Sequence, residues 1–349
     1  MAAKSKGFEV HIATKFSKYK NYLNNLGLIT HDLPIERSSL SIISNLITFS
    51  KIYQLLRIVK PNLIHLITIK PVLFGCINSY FFKKISIVCS VSGLGFIFSD
   101  KGLFSFFRRQ FISYLYKLSF RKRNLIVIFQ NKNDKQTLLK ITNLKEKDSR
   151  IIYGSGVDLN KFAVNHNSQK PPIVLFAGRL LVSKGILDFI ESSKYLNNIR
   201  FVISGEFDRE NPDCINSRLI ERFQSEGLIE YWGYSDNMVD IINQSSIVVL
   251  PSYYGEGLPK ILIEAAACGK PVITTDHPGC RDAIINNVSG LLIPIKSPIS
   301  IANAINKIIS DKKLLKSMGR EARLLAEKKF SIDSVISEHI YIYNNLIKE

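Results

Sequence analysis

The sequence has few residues of the kinds that cross-link a secreted domain or hold a metal ion. Its 349 residues include five cysteines and six histidines, and neither type is clustered at the spacing of a metal site. An odd number of scattered cysteines without a secretory signal predicts reduced thiols in a cytosolic protein. The sequence therefore argues against a disulfide-rich fold, and we expect no metal ion.

Long apolar runs are also missing. A transmembrane helix needs about 18 or more mostly apolar residues, and the longest candidate, Ile85–Phe98, is shorter and contains two glycines. We therefore expect no membrane-spanning helix. The composition, 46% hydrophobic and 22% charged, is ordinary for a soluble protein, and the length predicts two domains, each with its own core.

Acidic residues are scarce in one half of the chain. Residues 1–160 hold 25 lysines and arginines against 8 aspartates and glutamates, whereas residues 161–349 hold 22 against 21. The net charge of +18 therefore belongs almost wholly to the first half. This asymmetry indicates that the first half meets an anionic surface, for which nucleic acid and anionic lipid are the two candidates.

What the chain does contain is a ligand-binding pattern between its two most regular apolar runs. Ser246–Leu250 is apolar and β-branched, which predicts a buried strand. Pro259 suits the first position of a helix over Lys260–Cys268, and Gly269 suits the C-terminal cap of that helix. Pro271–Thr275 predicts the next strand. This βαβ unit places a loop at the carboxyl end of a strand, where open parallel sheets bind ligands.

Two carboxylates lie on this unit with seven residues between them. Glu256 is in the loop, where flanking glycines let a ligand approach the backbone closely. Glu264 stands roughly 7.5 Å along the helix from Pro259, and the free N–H groups at a helix start attract an anion. Either glutamate alone would be interpreted as a solvated surface residue. Together they suit a sugar–diphosphate–ribose ligand, because carboxylates accept hydrogen bonds from sugar hydroxyls.

The segment Glu256–Lys260, followed by Glu264 and by Ala266–Val272, resembles the E-x7-E signature of the retaining family 4 glycosyltransferases. The resemblance extends over nearly the whole chain and is strongest over Ile173–Pro294. Within the family, the sequence looks most like the group that builds bacterial capsule and O-antigen repeat units. The resemblance implies an α/β protein with the GT-B fold, in which two Rossmann-like, doubly wound domains face a cleft.

This fold implies a division of the chain into three parts. Residues 1–160 would form an acceptor-binding domain, and residues 161–330 a nucleotide-sugar donor domain. The boundary falls at Asn160–Pro172, a polar segment typical of a linker. Residues 331–349 would form a terminal helix, whose apolar stripe is clear from the sequence. The resemblance implies that this helix crosses back to the first domain.

Two basic residues follow the predicted strand Ile173–Ala177. Arg179 and Lys184 come after its carboxyl end, so both side chains can reach the cleft. A planar guanidinium and an ammonium together suit a diphosphate. Without Glu256 and Glu264, each would be interpreted as a solvated surface charge. The family's G-R-x(4)-K-G motif, which holds the donor diphosphate, implies the same role. The catalytic residues implied are Arg179 and Lys184 with Glu256, which would orient the donor sugar.

The resemblance also implies residues that bind the substrates. The carboxylate on the helix would bind the ribose, and backbone groups near Gly233 would meet the nucleotide base. A glycine loop after the predicted strand Ile85–Val91 would face the cleft, although it lacks the histidine that many family members carry there. The implied substrate-binding residues are Glu264, Gly257, Leu258, Lys260, Gly233, Tyr234, Ser92 and Gly93.

The segment Lys101–Arg123 combines aromatic and basic residues at helical spacing. An interfacial membrane helix has this composition, and so does a core helix with a solvated basic face. The two interpretations are compatible, since charges near an anionic leaflet gain roughly 1 kcal/mol each. Nucleic acid would also attract these charges, but no recognised nucleic-acid motif is present. The residues concerned are Phe104, Phe107, Phe111, Leu115, Leu118, Arg108, Arg109, Lys117, Arg121, Lys122 and Arg123.

Three smaller features complete the prediction. Met1–Lys6 resembles the last turn of a helix, and Phe8–Thr14 resembles a strand. Family members have a further strand and a cleft loop before them, so we expect the first sheet to lack its first strand.

Asp208–Glu210 is not a D-x-D metal motif, and we interpret it as a solvated loop. His277 lies near the expected cleft, but a lone histidine is more often structural, so we leave it out of the site.

The sequence predicts a retaining glycosyltransferase that moves a sugar from a nucleoside diphosphate, UDP by family habit, to a polyprenyl-diphosphate-linked saccharide. Its place would be cytoplasmic, peripheral at the inner face of the cell membrane, with an anionic membrane surface as partner, no nucleic acid and no cofactor. One alternative is a GT-B nucleotide-sugar 2-epimerase, which would need carboxylates and histidines that the loop at Ser92 lacks. Another is a non-enzymatic membrane- or nucleic-acid-binding protein, which leaves Arg179, Lys184, Glu256 and Glu264 unexplained.

Overall fold

A computed structural model describes residues 1–16, 19–35, 41–94, 103–165 and 170–348. Within these ranges the chain forms three parallel sheets with helices packed on them. The strands are β1 (His11–Thr14), β2 (Ile29–Asp32), β3 (Leu63–Ile67), β4 (Ser86–Val91), β5 (Leu125–Phe129), β6 (Ser149–Ile151), β7 (Ile173–Ala177), β8 (Arg200–Ser204), β9 (Glu230–Tyr231), β10 (Ile247–Leu250), β11 (Val272–Thr275) and β12 (Gly290–Ile293). The helices are α1 (Ala2–Ser5), α2 (Lys20–Asn25), α3 (Ile42–Val59), α4 (Ile69–Ser79), α5 (Leu103–Ser119), α6 (Lys132–Ile141), α7 (Ile186–Ser193), α8 (Ser217–Ser225), α9 (Met238–Gln244), α10 (Lys260–Ala267), α11 (Pro298–Ser310), α12 (Lys312–Lys329) and α13 (Ile332–Lys348).

The first half contains a four-stranded sheet with the order β3-β4-β5-β6. Its strands are short apolar runs because both faces are covered. Helices α4 and α6 pack on one face, with α5 against both, and the C-terminal helix α13 packs on β3 and β4 from the other. His65 fixes this last contact, with its ring nitrogens 2.6 Å from the hydroxyls of Tyr343 and Ser90. Burial lowers the pKa of His65 to about 4, so the imidazole is neutral.

The second half contains a six-stranded sheet with the order β12-β11-β10-β7-β8-β9, all parallel. From β7 the chain builds one side of the sheet through β8 and β9, and then returns to build the other through β10, β11 and β12. The order therefore reverses between β7 and β10. In open α/β sheets, ligands bind at such a switch point, outside the carboxyl ends of the strands.

The N-terminal segment forms a small unit of its own. Helix α1 is one turn, and Gly7 follows it with a φ of 87°, as the sequence predicted. The next strand is shorter than predicted, because β1 begins at His11, where its pairing with β2 begins. In the described residues β1 and β2 pair with each other and not with the four-stranded sheet. The expectation that the first sheet lacks its first strand stays a prediction.

Helix α3 corrects the expectation drawn from apolar runs. Its 18 residues have a mean hydropathy of 1.2, and by length and composition it is the one helix in the described ranges apolar enough to cross a membrane. The search for uninterrupted runs missed it because Lys51 and Arg57 lie within it. One face packs into the domain through Thr48, Ile52 and Leu56. The opposite face exposes apolar side chains, namely Ile42, Ile43, Leu46, Ile47 and Ile58.

Helix α5 divides its aromatic residues between core and surface. Tyr116 and Phe120, at and just beyond its C-terminal end, are buried. Phe107, Phe111 and Tyr114 lie on one face, at steps of four and three residues, and each exposes more than 60% of its surface. The C-terminal part of α5 is therefore a core helix, and the interfacial membrane role of the exposed face stays a prediction. The side chain of Phe104 lies outside the described residues.

Candidate active site

The two segments that border the switch point carry the predicted catalytic residues. Residues 178–185 follow β7 and hold Arg179 and Lys184. Residues 253–258, which we call the donor loop, follow β10 and hold Glu256. Tyr253 N–H donates to Ser183 O at 2.9 Å, so the two segments are joined directly. The sheet topology therefore brings together residues that are more than 70 positions apart in sequence.

Lys184 and Glu256 form an ion pair in the crevice. The Lys184 ammonium contacts Glu256 Oε1 closely, and the two side chains are only 11% and 13% exposed. Ser252 Oγ lies 3.4 Å from the same carboxylate oxygen, and the Tyr254 ring lies 5.8 Å from the Lys184 ammonium. Separation of a pair this buried would leave each charge without compensation, which is unfavourable. The two side chains therefore hold each other in place. The arrangement places a cation and a hydrogen-bond acceptor side by side.

Arg179 forms a second ion pair beside the first. Its Nη1 donates to Asp208 Oδ2 at 2.6 Å, and both side chains are about three-quarters buried. This corrects our interpretation of residues 208–210 as a solvated loop. Asp208 follows β8, the neighbour of β7, so its carboxylate reaches the same end of the sheet as Arg179. Asp208 holds the guanidinium that is predicted to meet the donor diphosphate.

Glu264 lies on α10 and is nearly buried, with 9% of its side chain exposed. Burial raises the pKa of its carboxyl group, and the positive charge of Lys260, 3.5 Å away and one helical turn earlier, opposes that rise. A buried carboxylate with a single lysine partner retains lone pairs that can accept hydrogen bonds. Lys260 itself is largely exposed, and the contact it makes is with Glu264 rather than with the donor loop.

The donor loop packs between two glycines from different parts of the chain. A Cβ atom at Gly93, where φ is 108°, would lie 2.6 Å from Gly255 O, and one at Gly279 would lie 2.6 Å from Glu256 O. A Cβ atom at Gly257 would collide with the backbone of Ser92 and with Gln130 Oε1. Backbone therefore meets backbone here, and the structure brings Ser92 and Gly93 of the first domain against the loop that holds Glu256.

The start of α10 differs from the prediction. Pro259 is the N-cap residue, with φ −63° and ψ 123°, rather than the first helical residue. The N–H group of Leu258, near the helix start where we expected an anion to bind, donates to Gln130 Oε1 at 3.2 Å. The Leu258 side chain is buried and points toward Gly154. In this structure Leu258 therefore joins the two domains through its backbone and its side chain.

Two protein-family models match the chain. The model described as glycosyl transferases group 1 matches residues 158–325, which include Arg179, Lys184, Glu256 and Glu264, and the glycosyl transferase 4-like model matches residues 1–131. Both matched parts of the chain therefore resemble glycosyltransferase domains. The resemblance to family 4 is confirmed, and the protein is an enzyme of the glycosyltransferase class.

Relatives of this glycosyltransferase extend along its whole length. It is 29% identical to the N,N'-diacetylbacillosaminyl-diphospho-undecaprenol alpha-1,3-N-acetylgalactosaminyltransferase of Campylobacter jejuni, over 99% of this chain and 94% of that protein. It is 26% identical to the capsular polysaccharide biosynthesis glycosyltransferase CapM of Staphylococcus aureus, over 99% and 92%. It is 25% identical to the UDP-Gal:alpha-D-GlcNAc-diphosphoundecaprenol alpha-1,3-galactosyltransferase of Escherichia coli, over 88% and 82%.

Solved structures resemble the glycosyltransferase in fold. Sucrose-phosphate synthase from Thermosynechococcus elongatus matches with a TM-score of 0.84 at 20% identity, over 99% of this chain and 91% of that one. HepE from Anabaena in complex with UDP-glucose matches with a TM-score of 0.78 at 17% identity, over 100% and 94%. The predicted GT-B fold is confirmed, and at these identities the likeness concerns the fold alone.

Gly233 and Tyr234, implied for the nucleotide base, follow β9 at the same end of the sheet. Gly233 O accepts hydrogen bonds from the Gly205 N–H and from Ser204 Oγ, both at 2.9 Å. The Tyr234 ring is exposed, and its hydroxyl donates to Asp236 at 2.7 Å. These contacts tie the segment to β8 rather than to the donor loop, so the role in base binding stays a prediction.

Sequence reasoning missed three residues near the crevice. Asp208 holds Arg179, and Gln130 and Asn131 contact the donor loop from the first domain. His277, which we placed near the cleft but left out of the site, is half-buried, and the Glu256 carboxylate is close enough to influence its pKa. Burial lowers the pKa of His277, which keeps the imidazole neutral. The signal for Asn131 was its position directly before α6, where Asn is a preferred N-cap. Among the described residues no group of histidines, cysteines and carboxylates is arranged to hold a metal ion.

Proposed function

We propose that this protein is a retaining glycosyltransferase that transfers a hexosyl or N-acetylhexosaminyl group from UDP to a saccharide on polyprenyl diphosphate, in bacterial surface polysaccharide synthesis. The observation that carries the proposal is the buried pair of Lys184 and Glu256 at the switch point. It joins a cation suited to a leaving diphosphate with a carboxylate suited to a sugar hydroxyl. The names of the Campylobacter and Escherichia relatives, whose acceptors are undecaprenol diphosphates, support the acceptor class.

The two ion pairs suggest how the leaving group is stabilised. Asp208 and Glu256 hold Arg179 and Lys184 at the carboxyl ends of β8, β7 and β10. In the proposed reaction the bond between the sugar C1 and the diphosphate oxygen breaks, while the acceptor hydroxyl forms a new bond to C1 on the same face. The hydroxyl proton passes to the departing diphosphate. Fixed cations beside that oxygen lower the barrier, because negative charge develops there in the transition state.

The nucleoside would bind beside the same loop. Glu264 lies inside α10 with its carboxylate turned to the protein, so it suits a pair of ribose hydroxyls rather than bulk water. It would accept their hydrogen bonds in its ionised form. The UDP assignment rests on family habit and on the UDP donor named for the Escherichia relative.

The acceptor would reach the site from a membrane surface. An undecaprenyl chain stays in the bilayer, so the acceptor domain must come to it. Helix α5 offers Phe107, Phe111 and Tyr114 on one exposed face, and Lys117 is exposed nearby. Helix α3 exposes four of its isoleucines, and α4 contacts both α3 and α5. This combination of apolar side chains and cations suits an anionic leaflet, so we propose a peripheral position at the inner face of the cell membrane.

One predicted cation does not belong to this surface. The Lys122 ammonium donates to Ser79 O at 2.7 Å and to Phe82 O at 2.9 Å, where it caps the end of α4. Burial lowers the pKa of Lys122. Charge reversal at Lys122 would therefore damage the domain, and a membrane test must leave this residue unchanged.

The test is an activity assay with purified full-length protein. UDP-hexoses and UDP-N-acetylhexosamines are offered with undecaprenyl-diphosphate-linked saccharides, and products are identified by mass and by the anomeric configuration of the new bond. We expect transfer with an α-linkage from an α-linked donor. Calorimetry should show that UDP binds, and absence of both UDP binding and transfer would contradict the proposal. Conversion of the UDP-sugar to its 2-epimer without an acceptor would instead favour the epimerase.

A further inference from the structure

Two consecutive residues of the first domain hold the donor loop by its backbone. Asn131 is fully buried, and its Nδ2 donates to Glu256 O at 3.2 Å and to Gly257 O at 3.0 Å. Gln130 Oε1 accepts the Leu258 N–H group at 3.2 Å. The backbone of three successive loop residues, Glu256–Leu258, is therefore held by the first domain, although the loop itself follows a strand of the second sheet.

The Asn131 side chain is itself fixed on both ends. Its Oδ1 accepts the Asp134 N–H group at 2.8 Å, which caps α6, and its Nδ2 also lies 2.9 Å from Asp134 Oδ2. Rotation of the amide would lose the cap and set its oxygen against three acceptor oxygens. Because α6 packs on the first sheet, the position of that sheet is transmitted directly to the two peptide groups that follow Glu256, on either side of Gly257.

We propose that Gln130 and Asn131 are positioning residues that place Glu256 for contact with the donor sugar. The inference rests on the proposed function, in which Glu256 orients that sugar. Arg179, Lys184 and Glu264 are held by partners within the second domain, whereas the backbone of Glu256 is held by both domains. UDP binding then requires the second domain, and productive orientation of the sugar requires its contact with the first.

The test variant is Asn131→Ser. Serine is also a preferred N-cap, so the cap of α6 is retained. Its side chain is too short to reach the carbonyl oxygens of Glu256 and Gly257. The matched control is Asn78→Ser. Asn78 is equally buried in the same domain and donates to two carbonyls, Phe49 O at 3.1 Å and Phe74 O at 3.0 Å, both within that domain.

We expect both variants to lose thermal stability to a similar degree. Only Asn131→Ser should lower kcat, by about tenfold or more, with the Kd for UDP changed less than about twofold. The double variant Asn131→Ser/Glu256→Ala should be no slower than Glu256→Ala within about twofold, because Asn131 acts through Glu256. An unchanged kcat in Asn131→Ser, or effects that multiply in the double variant, would overturn the proposal.

Amide hydrogen exchange gives a readout that does not depend on the acceptor. In Asn131→Ser, residues 254–258 should exchange faster than in the unmodified protein, while in Asn78→Ser they should not. Equal exchange of this segment in all three proteins would overturn the positioning role. A failure of the unmodified enzyme to transfer sugar to any lipid-linked acceptor would instead overturn the proposed function, so the two failures are distinguishable.

Discussion

The two halves of the molecule use positive charge in opposite ways. At the carboxyl end of the second sheet each candidate cation faces one carboxylate, as in Arg179–Asp208, Lys184–Glu256 and Lys260–Glu264. In the first half, Lys117, Arg121 and Arg123 are exposed on or just beyond α5, on a helix without an acidic residue. The side chains of the paired cations are held in one orientation, whereas the exposed side chains are free of such a constraint and extend into solvent.

This difference separates two kinds of recognition. A fixed, partly buried cation recognises one group at one distance, and salt screens it weakly. An exposed cluster attracts any anionic surface, and its effect disappears beyond a Debye length of about 8 Å at physiological salt. The second half therefore suits a nucleoside diphosphate, and the first half suits a leaflet whose lipids move. Each of the following predictions breaks one side of this comparison and leaves the other intact.

The largest effect is expected from the paired cations of the crevice. Arg179→Ala and Lys184→Ala should each lower kcat about 10²- to 10³-fold, because each removes fixed charge from the leaving diphosphate. Each should also weaken UDP binding more than uridine binding, as measured by calorimetry. Lys184→Ala should in addition lower the Tm, since it leaves Glu256 buried and unpaired.

The control for these variants is Arg200→Ala. Arg200 forms a two-point ion pair with Glu230 at 2.7 Å, but it begins β8 and so lies at the opposite end of the same sheet. We expect its kcat and its UDP affinity to match those of the unmodified enzyme. Equal losses of UDP and uridine affinity in the crevice variants would contradict the diphosphate role.

The next effect concerns the exposed cations. The triple variant Lys117→Glu, Arg121→Glu and Arg123→Glu should bind anionic vesicles at least about a hundredfold more weakly, since each lost charge near the leaflet contributes about 1 kcal/mol and each new carboxylate is repelled. Its UDP affinity should be unchanged. Vesicle sedimentation at low and high salt measures the first quantity, and calorimetry measures the second.

A matched reversal on the other domain sharpens this experiment. Lys312, Lys313 and Lys316 are exposed on α12, and their replacement by glutamate changes the net charge by the same amount. We expect this variant to sediment with anionic vesicles as the unmodified protein does. Equal loss of vesicle binding in both triple variants would mean that total charge, rather than the α5 surface, attracts the membrane.

The sequence was most informative where the signal is local. Strands β7, β10 and β11 were predicted to within one residue, because a fully covered parallel strand must be a continuous apolar run. Arg179, Lys184 and Glu256 were predicted because they lie in the segments that follow such strands, and parallel topology gathers the carboxyl ends of strands. Their assignments to sugar and diphosphate come from the family motif and stay predictions.

Contacts between distant segments left no such signal. The bond from Asn131 to Gly257 O joins residues 126 positions apart, and it uses a backbone carbonyl that every residue possesses. The Arg179–Asp208 pair also depends on the adjacency of β7 and β8, which the sequence does not state. Periodicity predicted the aromatic stripe of α5, but a core helix and a surface helix have the same pattern. Which of its side chains are buried depends on the neighbouring elements, and the sequence of α5 does not contain that information.

A smaller effect is expected from the ribose carboxylate. Glu264→Gln keeps the size of the side chain and removes its charge, so it should weaken UDP binding about tenfold while kcat at saturating donor falls less. Glu256→Ala should show the reverse, with kcat lowered more than UDP affinity. Calorimetry and initial rates for the two variants measure this division. If both variants behave like the unmodified enzyme, the assignment of the two glutamates is wrong.

The smallest effect is a shift in the pH dependence of UDP binding. The fold raises the pKa of Glu264 through burial, and the charges of Lys260 and Lys161 oppose the rise. Since the ionised form accepts the ribose hydroxyls, UDP affinity should be complete above this raised pKa and fall as the pH drops through it. Removal of a positive charge in Lys260→Ala raises the pKa further, so the decline should begin at a higher pH. Because Lys260 is exposed, solvent screens its charge, and we expect this shift to be small. In Glu264→Gln the decline should disappear, and its persistence there would assign the pH dependence to another group.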